Sequence, residues 1–335
     1  MHKPSRYSLA LALWAGLTLP ALYVSEAASA EDTIKKSFTV APGGTLFVDV
    51  DRGSIDIATG AGNEIRVEVV RSVDRTSRRR AEDILNEHKV EFTQDGGNLR
   101  IYSRYNGSDR GFWGWRSWNL RVRYIISTPR SYNADLKTAG GGISTSDLDG
   151  EVKARTSGGS LKFGRISEPV LGRTSGGGIT LQACKKSVDV ESSGGSLRIG
   201  EIDGPVTART SGGSIEIARV KGSVSARTSG GGIRVNEVFG KIDASTSGGS
   251  VTARLSSQPE GNCTLKTSGG SIAVHLAEKV AVDLDASTSG GRVTTELPVT
   301  VQGELKRTAL KSKVNGGGPA LVLRTSGGNV HIRRL

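Results

Sequence analysis

Paired carboxylates, two cysteines, a run of aromatics and a periodic set of arginines are the side chains in this sequence that could do chemistry. Asp147 with Asp149, and Asp283 with Asp285, stand two apart, so each pair shares one strand face or a turn. Two such carboxylates are the minimal acid and base of a glycoside hydrolase, yet solvated carboxylates are the simpler reading here. Beyond residue 30 histidine occurs only at His88, His275 and His331, too scattered for a zinc site or a triad. There is no Gly-x-Ser-x-Gly elbow, and the run Gly140-Gly141-Gly142 leads into a strand pattern rather than the helix a phosphate loop needs. A calcium-binding glycine-rich solenoid would carry an Asp just after its turn, whereas here Gly-Gly leads into Ser-Ile-Glu or Gly-Ile-Arg. No catalytic, cofactor-binding or metal-ligating residue is assigned, and a non-enzyme is expected.

Cys184 and Cys263 invite a disulfide, but the repeat described below sets them four coils apart, roughly 19 Å, so two free, core-filling thiols are expected. Two binding candidates remain. Phe112, Trp113, Trp115 and Trp118 cluster in a Gly-bearing segment, where exposed rings could stack on sugars or enter a lipid interface and buried ones would close the end of the fold. Arg155, Arg173, Arg209 and Arg227, with Glu191 among them, recur every 18 residues. Like charges stacked about 5 Å apart repel one another unless something anionic lies across them, and Glu191 relieves only the middle.

What must position these residues is an internal repeat. Thr138, Thr156, Thr174, Ser192, Thr210, Thr228 and Thr246 are spaced by 18, and each opens Thr-Ser-Gly-Gly or a one-residue variant. Further copies open at Thr267, Thr288 and Thr325, where the spacing stretches to 21, 21 and 37. One coil, Thr210 to Arg227, holds two short alternating runs separated by two turns, hence two half-buried strands. Aligned on the opening residue, position five reads Ile143, Leu161, Ile179, Leu197, Ile215, Ile233 and Val251; position ten reads Leu148, Ile166, Cys184, Ile202, Val220 and Val238. Position fourteen is Val or Ile throughout, and position sixteen is mostly Ala or Gly, where two sheets would approach closely. Position six (Ser144, Lys162, Thr180, Arg198, Glu216, Arg234) faces water.

The pattern predicts an all-β fold: a parallel β-solenoid of 18-residue coils over 138–335, preceded by a β-rich capping region, 31–137. The Gly-Gly pairs are expected to supply positive φ in the turns, and the Thr hydroxyls to bond along the column or to turn amides. In the cap, Leu46 to Val50, Ser54 to Ala58, Ile65 to Val70, Val90 to Thr93, Leu99 to Tyr102 and Leu120 to Ser127 read as strands. Arg78 to His88 reads as one short helix, Asp95-Gly96-Gly97 as a hairpin turn, and Val330 to Leu335 as the strand that finishes the array.

Residues 1–30 read as a signal peptide: Lys3 and Arg6, an apolar stretch from Leu9 to Val24, then Ala28-Ser29-Ala30. The expected location is the periplasm or the cell surface. The formal charge of +12 then meets envelope polysaccharide, a membrane surface or another envelope protein rather than nucleic acid. Oligomeric state is not legible.

The strand Asp51-Arg52-Gly53-Ser54-Ile55-Asp56-Ile57, the serial Thr-Ser-Gly-Gly coils, and the closing Asn315-Gly316-Gly317-Gly318-Pro319 with Thr325-Ser326-Gly327-Gly328-Asn329-Val330 resemble the bacterial putative adhesin family, a group of unassigned function. The resemblance covers about residues 44–335 and brings no catalytic residues. It implies a non-enzymatic envelope or surface binding module displaying a basic β-rod. A structural or stress-linked envelope component acting through protein partners is the alternative, and a carbohydrate-active β-helix enzyme the third reading.

Overall fold

A computed structural model describes residues 30–74, 76–105, 120–301 and 306–335. The 18-residue period becomes geometry directly. Ile179 pairs in parallel with Leu161 on one side and Leu197 on the other, and Leu197 in turn with Ile215. Position fourteen does the same on the facing sheet, from Val152 through Val170, Val188, Val206 and Val224 to Ile242. All of these residues are buried. Each coil gives one strand to each of two sheets, of 14 and 15 strands among the described residues, and their inward side chains form one continuous core. We call the sheet containing Ile179–Cys184 sheet one and that containing Val188–Ser192 sheet two.

The small residues of position sixteen lie where the sheets meet. A Cβ on Gly172 would stand 3.3 Å from Leu161, Phe163 and Val190 side-chain atoms, so the bulk of Phe163 is accommodated by the absence of a side chain opposite.

The turn glycines have a different cause from the expected one. None of the repeat Gly-Gly pairs has positive φ; among the described residues that conformation is found at Gly43, Gly53, Gly62, Gly96, Gly316 and Gly317, and at Asn315. What excludes a side chain is the neighbouring coil. A Cβ on Gly177 would lie 2.1 Å from the Gly159 carbonyl oxygen, and one on Gly213 would lie 2.3 Å from that of Gly195. The second glycine of each pair is therefore a site of close backbone approach.

The opening hydroxyls make the expected bond to a turn amide, and in place of a bond along their own column they donate to a glycine carbonyl of the neighbouring coil. Thr210 Oγ1 donates to the Gly195 carbonyl at 2.8 Å and accepts from the Gly213 N–H at 3.4 Å. Ser192, the one serine in the column, does the same at 2.7 and 2.9 Å. The column is buried, which makes each unpaired group costly and each pair worth keeping.

At both ends the spatial order departs from the sequence order. At the C-terminal end Thr325 donates to Gly270 and Thr288 to Gly328, so the coil opening at Thr325 lies between those of Thr267 and Thr288. Val330–Arg334 is accordingly an interior strand, flanked by Ile272–Leu276 and Val293–Thr295. This corrects the expectation that Val330 to Leu335 closes the array. The closing elements are Val293–Thr295 on sheet one and, on sheet two, Ala309–Val314 and Thr300–Val301, added antiparallel beyond Val282–Thr288. At the N-terminal end Thr45–Val50 and Ser54–Gly60 lie between Asn133–Thr138 with Ile143–Thr145 on one side and Asn98–Tyr105 with Leu120–Pro129 on the other. The sheets run without a break through position 137.

Elsewhere the cap follows its pattern. The helix Arg78–Glu87 is capped by Ser77, whose side chain accepts from the Arg80 N–H, and buries Ala81 and Ile84. His88–Asp95 and Asn98–Tyr105 form the hairpin at Gly96, φ +55°. Two strands here were not anticipated: Asn133–Thr138, which pairs with Thr45–Val50, and Ala30–Thr39, which adds antiparallel to Glu64–Val73 and forms the edge of sheet one.

Candidate anion-binding face

The arginines of position seventeen stand on the outer face of sheet two because Ala or Gly before them and the buried opening Thr or Ser after them occupy the inward positions on either side. Strand pairing aligns Lys137, Arg155, Arg173, Glu191, Arg209 and Arg227 in one row. The structure thus brings all four predicted arginines together.

Their charge is relieved more than Glu191 alone would allow. Two residues upstream, on the same face, a second row supplies Asp189 and Asp243. Arg173 donates to both Asp189 carboxylate oxygens, at 3.0 and 2.7 Å, and lies 3.4 Å from Glu191. The hydrogen bonds it donates to Asp189, and then that carboxylate's charge, hold the Arg173 guanidinium even more firmly protonated than usual. Arg209 reaches Asp189 at 3.9 Å, and Arg227 reaches Asp243 at 2.5 Å. The expectation of stacked, largely unrelieved arginines is corrected there. The missing signal was alternation itself, since Asp189 and Asp243 can be read two positions before Glu191 and Ser245.

The relief stops toward the N-terminal side. Arg155 makes no ion pair among the described residues, and the second row beside it runs Asp135, Lys153, Leu171. Lys137 meets only Asp49, at 3.7 Å. A groove of about 290 Å³ runs here between the cations and the turn serines, lined by Lys137, Arg155, Arg173, Ser157 and Ser175, with Glu191 at its far end. Beyond Lys137 the rows pass through Asp49 and Asp135 and then reach rings: Arg104 lies over Tyr102 at 4.3 Å and Arg100 over Phe47 at 4.9 Å, with Tyr102 40% exposed. Arranged in this way, cations, hydroxyls and ring faces can hold an extended anion without any covalent chemistry.

Phe112, Trp113, Trp115 and Trp118 lie outside the described residues, as does the leader-like segment up to residue 29. The paired carboxylates are structural. Asp147 accepts from the Arg165 N–H at 2.8 Å, and Asp149 accepts from Ser167 Oγ at 2.7 Å and Arg130 Nε at 3.0 Å. The Ser167 hydrogen bond is the main cause holding Asp149 below the usual carboxylate range. Asp285 takes the Arg324 guanidinium at 2.5 Å, while Asp283 accepts from the Gly318 N–H at 3.4 Å. Among the described residues no three His, Cys, Asp or Glu side chains converge as a metal site.

Cys184 and Cys263 are both free and buried, and burial pushes both thiols above their usual pKa. Cys263 begins the strand Cys263–Thr267 of sheet two, paired beside Leu321, near the end of the coil that opens at Thr246. His88, 1% exposed, lies beneath the helix Arg78–Glu87 with Nε2 2.9 Å from Ser103 Oγ. Burial first, and the nearby Arg71 second, lower its pKa to about 4.

Solved structures resemble this chain at low identity and low TM-score. A putative adhesin from Bacteroides fragilis is 11% identical over 91% of this chain and 97% of its own, with a TM-score of 0.34. A putative lipid binding protein from Parabacteroides distasonis is 11% identical over 91% and 97%, with a TM-score of 0.32. A putative cell adhesion protein from Clostridium sporogenes is 12% identical over 91% and 100%, with a TM-score of 0.23. Those descriptions belong to those proteins. No curated protein matches the chain. The model of one family, Toastrack DUF4097, matches residues 45–333, nearly the whole two-sheet stack from its first interleaved coil to its last, and the chain belongs to that family.

Proposed function

We propose that this protein is a non-enzymatic, exported envelope or surface binding module that holds an anionic polymer along the outer face of sheet two. The observation that carries the reading is the cationic stretch of Lys137 and Arg155, where Arg155 has no ion pair among the described residues, beside a groove of about 290 Å³. A polymer with regularly spaced negative charge would run across the strands and meet a cation at each coil, about 4.8 Å apart. Export rests on the leader-like character of residues 1–30, and the chain's charge of +12 suits an anionic envelope. Polygalacturonate is a suitable probe polymer. Isothermal titration is expected to show binding that weakens about tenfold or more between low salt and 0.5 M NaCl, as screening by salt requires. Arg155→Glu should abolish it. Binding that is indifferent to salt and to Arg155→Glu would refute this reading.

A further inference from the structure

The two ends of the stack are built differently. At the C-terminal end the outermost strands, Val293–Thr295 and Thr300–Val301, are only three and two residues long. At the other end sheet one finishes on Ala30–Thr39, ten residues, which pairs with Glu64–Val73 on one side and, among the described residues, with no strand on the other. A long unpaired edge is a template for another strand, and proteins usually blunt such an edge with a charge pointing to the core side. Lys36 is such a charge. It shares a face with Ile34 and Phe38, which pack against the core, yet it is exposed and has no ion pair among the described residues.

We infer that this edge pairs, antiparallel, with the same strand of a second copy about a two-fold axis at Ile34. An isologous contact of this kind requires a self-complementary strand. Centred on Ile34, the register sets Ile34 against its own copy and places Asp32 opposite the partner's Lys36 on both sides of the axis. Asp32 already accepts from Arg71 through Oδ2, which leaves Oδ1 for that lysine. Thr33 then faces the partner's Lys35, and Glu31 the partner's Ser37. Centring on Thr33 would leave Lys36 without an opposite residue in the exported chain and Ile34 opposite Asp32. Centring on Lys35 would oppose two lysines and put Lys36 against Ile34. Lys36 thus resists foreign strands while accepting this one, which is specificity by an unpaired charge. The inference goes beyond the proposed binding role and stands on separate residues, so measuring oligomeric state with no polymer present tests it alone.

Sedimentation velocity of the purified protein is expected to show a dimer at ~100 µM, and Lys36→Glu, an exposed change that sets Glu against Asp32, a monomer with an unchanged circular dichroism spectrum. Cysteine substitution reads the register. Residues directly opposite in an antiparallel pair have Cα atoms about 4.5–5.5 Å apart, within disulfide reach, whereas diagonal ones are about 7–8 Å apart. Ile34→Cys should therefore cross-link to its own copy on mild oxidation and Thr33→Cys should not, the native thiols being buried. A wild-type monomer at ~100 µM, a Lys36→Glu dimer, or Thr33→Cys cross-linking as readily as Ile34→Cys would each overturn the inference.

Discussion

Adjacent glycines of one turn should respond to alanine in opposite ways, and the size of the difference follows from two distances. A Cβ on Gly213 would stand 2.3 Å from the Gly195 carbonyl oxygen and 2.4 Å from its carbon, both backbone atoms that cannot swing aside. To reach an ordinary contact the two coils would have to part locally by about 1 Å, against a strand spacing of about 4.8 Å. That separation would break the Thr210 hydroxyl bond to Gly195 and strain the Gly213 N–H bond to the same hydroxyl, now 2.8 and 3.4 Å. Two buried hydrogen bonds and the overpacking together put Gly213→Ala at ~3 kcal/mol or more of destabilisation. On Gly212 the nearest atom to a new Cβ is the Gly194 oxygen at 3.2 Å, which needs a shift of a few tenths of an ångström. The reduced freedom of the unfolded chain offsets that shift, leaving Gly212→Ala within about 1 kcal/mol of the wild type. Stacked coils need not unfold in one step, so hydrogen exchange at the amides of the Thr210 and Thr228 coils, read beside the thermal midpoint, is the suitable assay. Gly213→Asn supplies the control. If the glycine were there for positive φ, Asn would be milder than Ala; if closeness decides, Asn is at least as harmful. Equal effects of Gly212→Ala and Gly213→Ala, or rescue by Asn, would refute the reasoning.

Thr210→Val keeps the shape and removes the hydroxyl, leaving a buried N–H and a carbonyl without that partner; a loss of about 1–3 kcal/mol in urea unfolding is expected, while Thr210→Ser should stay near wild type because Ser192 makes both bonds. His88 sets a pH dependence. Its folded pKa of about 4 lies below the ordinary 6.5, so between those values the unfolded chain binds a proton that the folded one does not. Its contribution is whole above pH 6.5 and is lost as pH falls toward 4, by at most ~3 kcal/mol, and His88→Gln should flatten the wild-type slope in that window. Both thiols should resist a thiol reagent in the native protein and both should react after denaturation without reductant; a single reactive thiol, or none, would contradict two free buried cysteines. Arg155→Ala should weaken polymer binding more than Arg173→Ala, because Arg173 is already engaged by Asp189 and Glu191; the reverse order in titration would count against the open cationic stretch as the contact.

The columns were legible because an 18-residue period in a parallel stack leaves no choice of register, so Ile179, Leu197 and Ile215 had to be vertical neighbours once the coils were aligned. The order of coils at the ends was not. A Thr-Ser-Gly-Gly motif states what kind of coil it opens and not which copy lies beneath it, so Thr288 and Thr325 read equally well in sequence order. The strand Ala30–Thr39 escaped because Lys36 breaks the alternation of Ile34 and Phe38 at the place where its edge charge is set. For the site, the arginine row was legible and its neutralisation was not, since Asp189 and Asp243 belong to a neighbouring row whose relation to the arginines depends on side-chain reach across strands. The turn glycines were assigned the wrong cause because positive φ and close approach leave the same residue in the sequence.

The interleaving at both ends answers a difficulty that any stack of like coils meets. If coils were laid down strictly in sequence order, the first and last would each be held on one face only and would fray at the cost of a single interface. Here the C-terminal strand Val330–Arg334 has a neighbour on each side, and Ala320–Thr325 likewise lies between Cys263–Thr267 and Val282–Thr288. Releasing the terminus therefore costs two interfaces in each sheet. The outer position passes to Val282–Thr288, which is tied to the rest at both of its own ends and covered by the antiparallel Ala309–Val314. The first-made coil, Thr45–Gly60, is enclosed in the same way by later chain. Such an arrangement cannot be completed by adding coils one after another, because each enclosed coil waits for a segment distant in sequence. The ends should accordingly form last and in concert, while the strict 18-residue middle can form by local stacking.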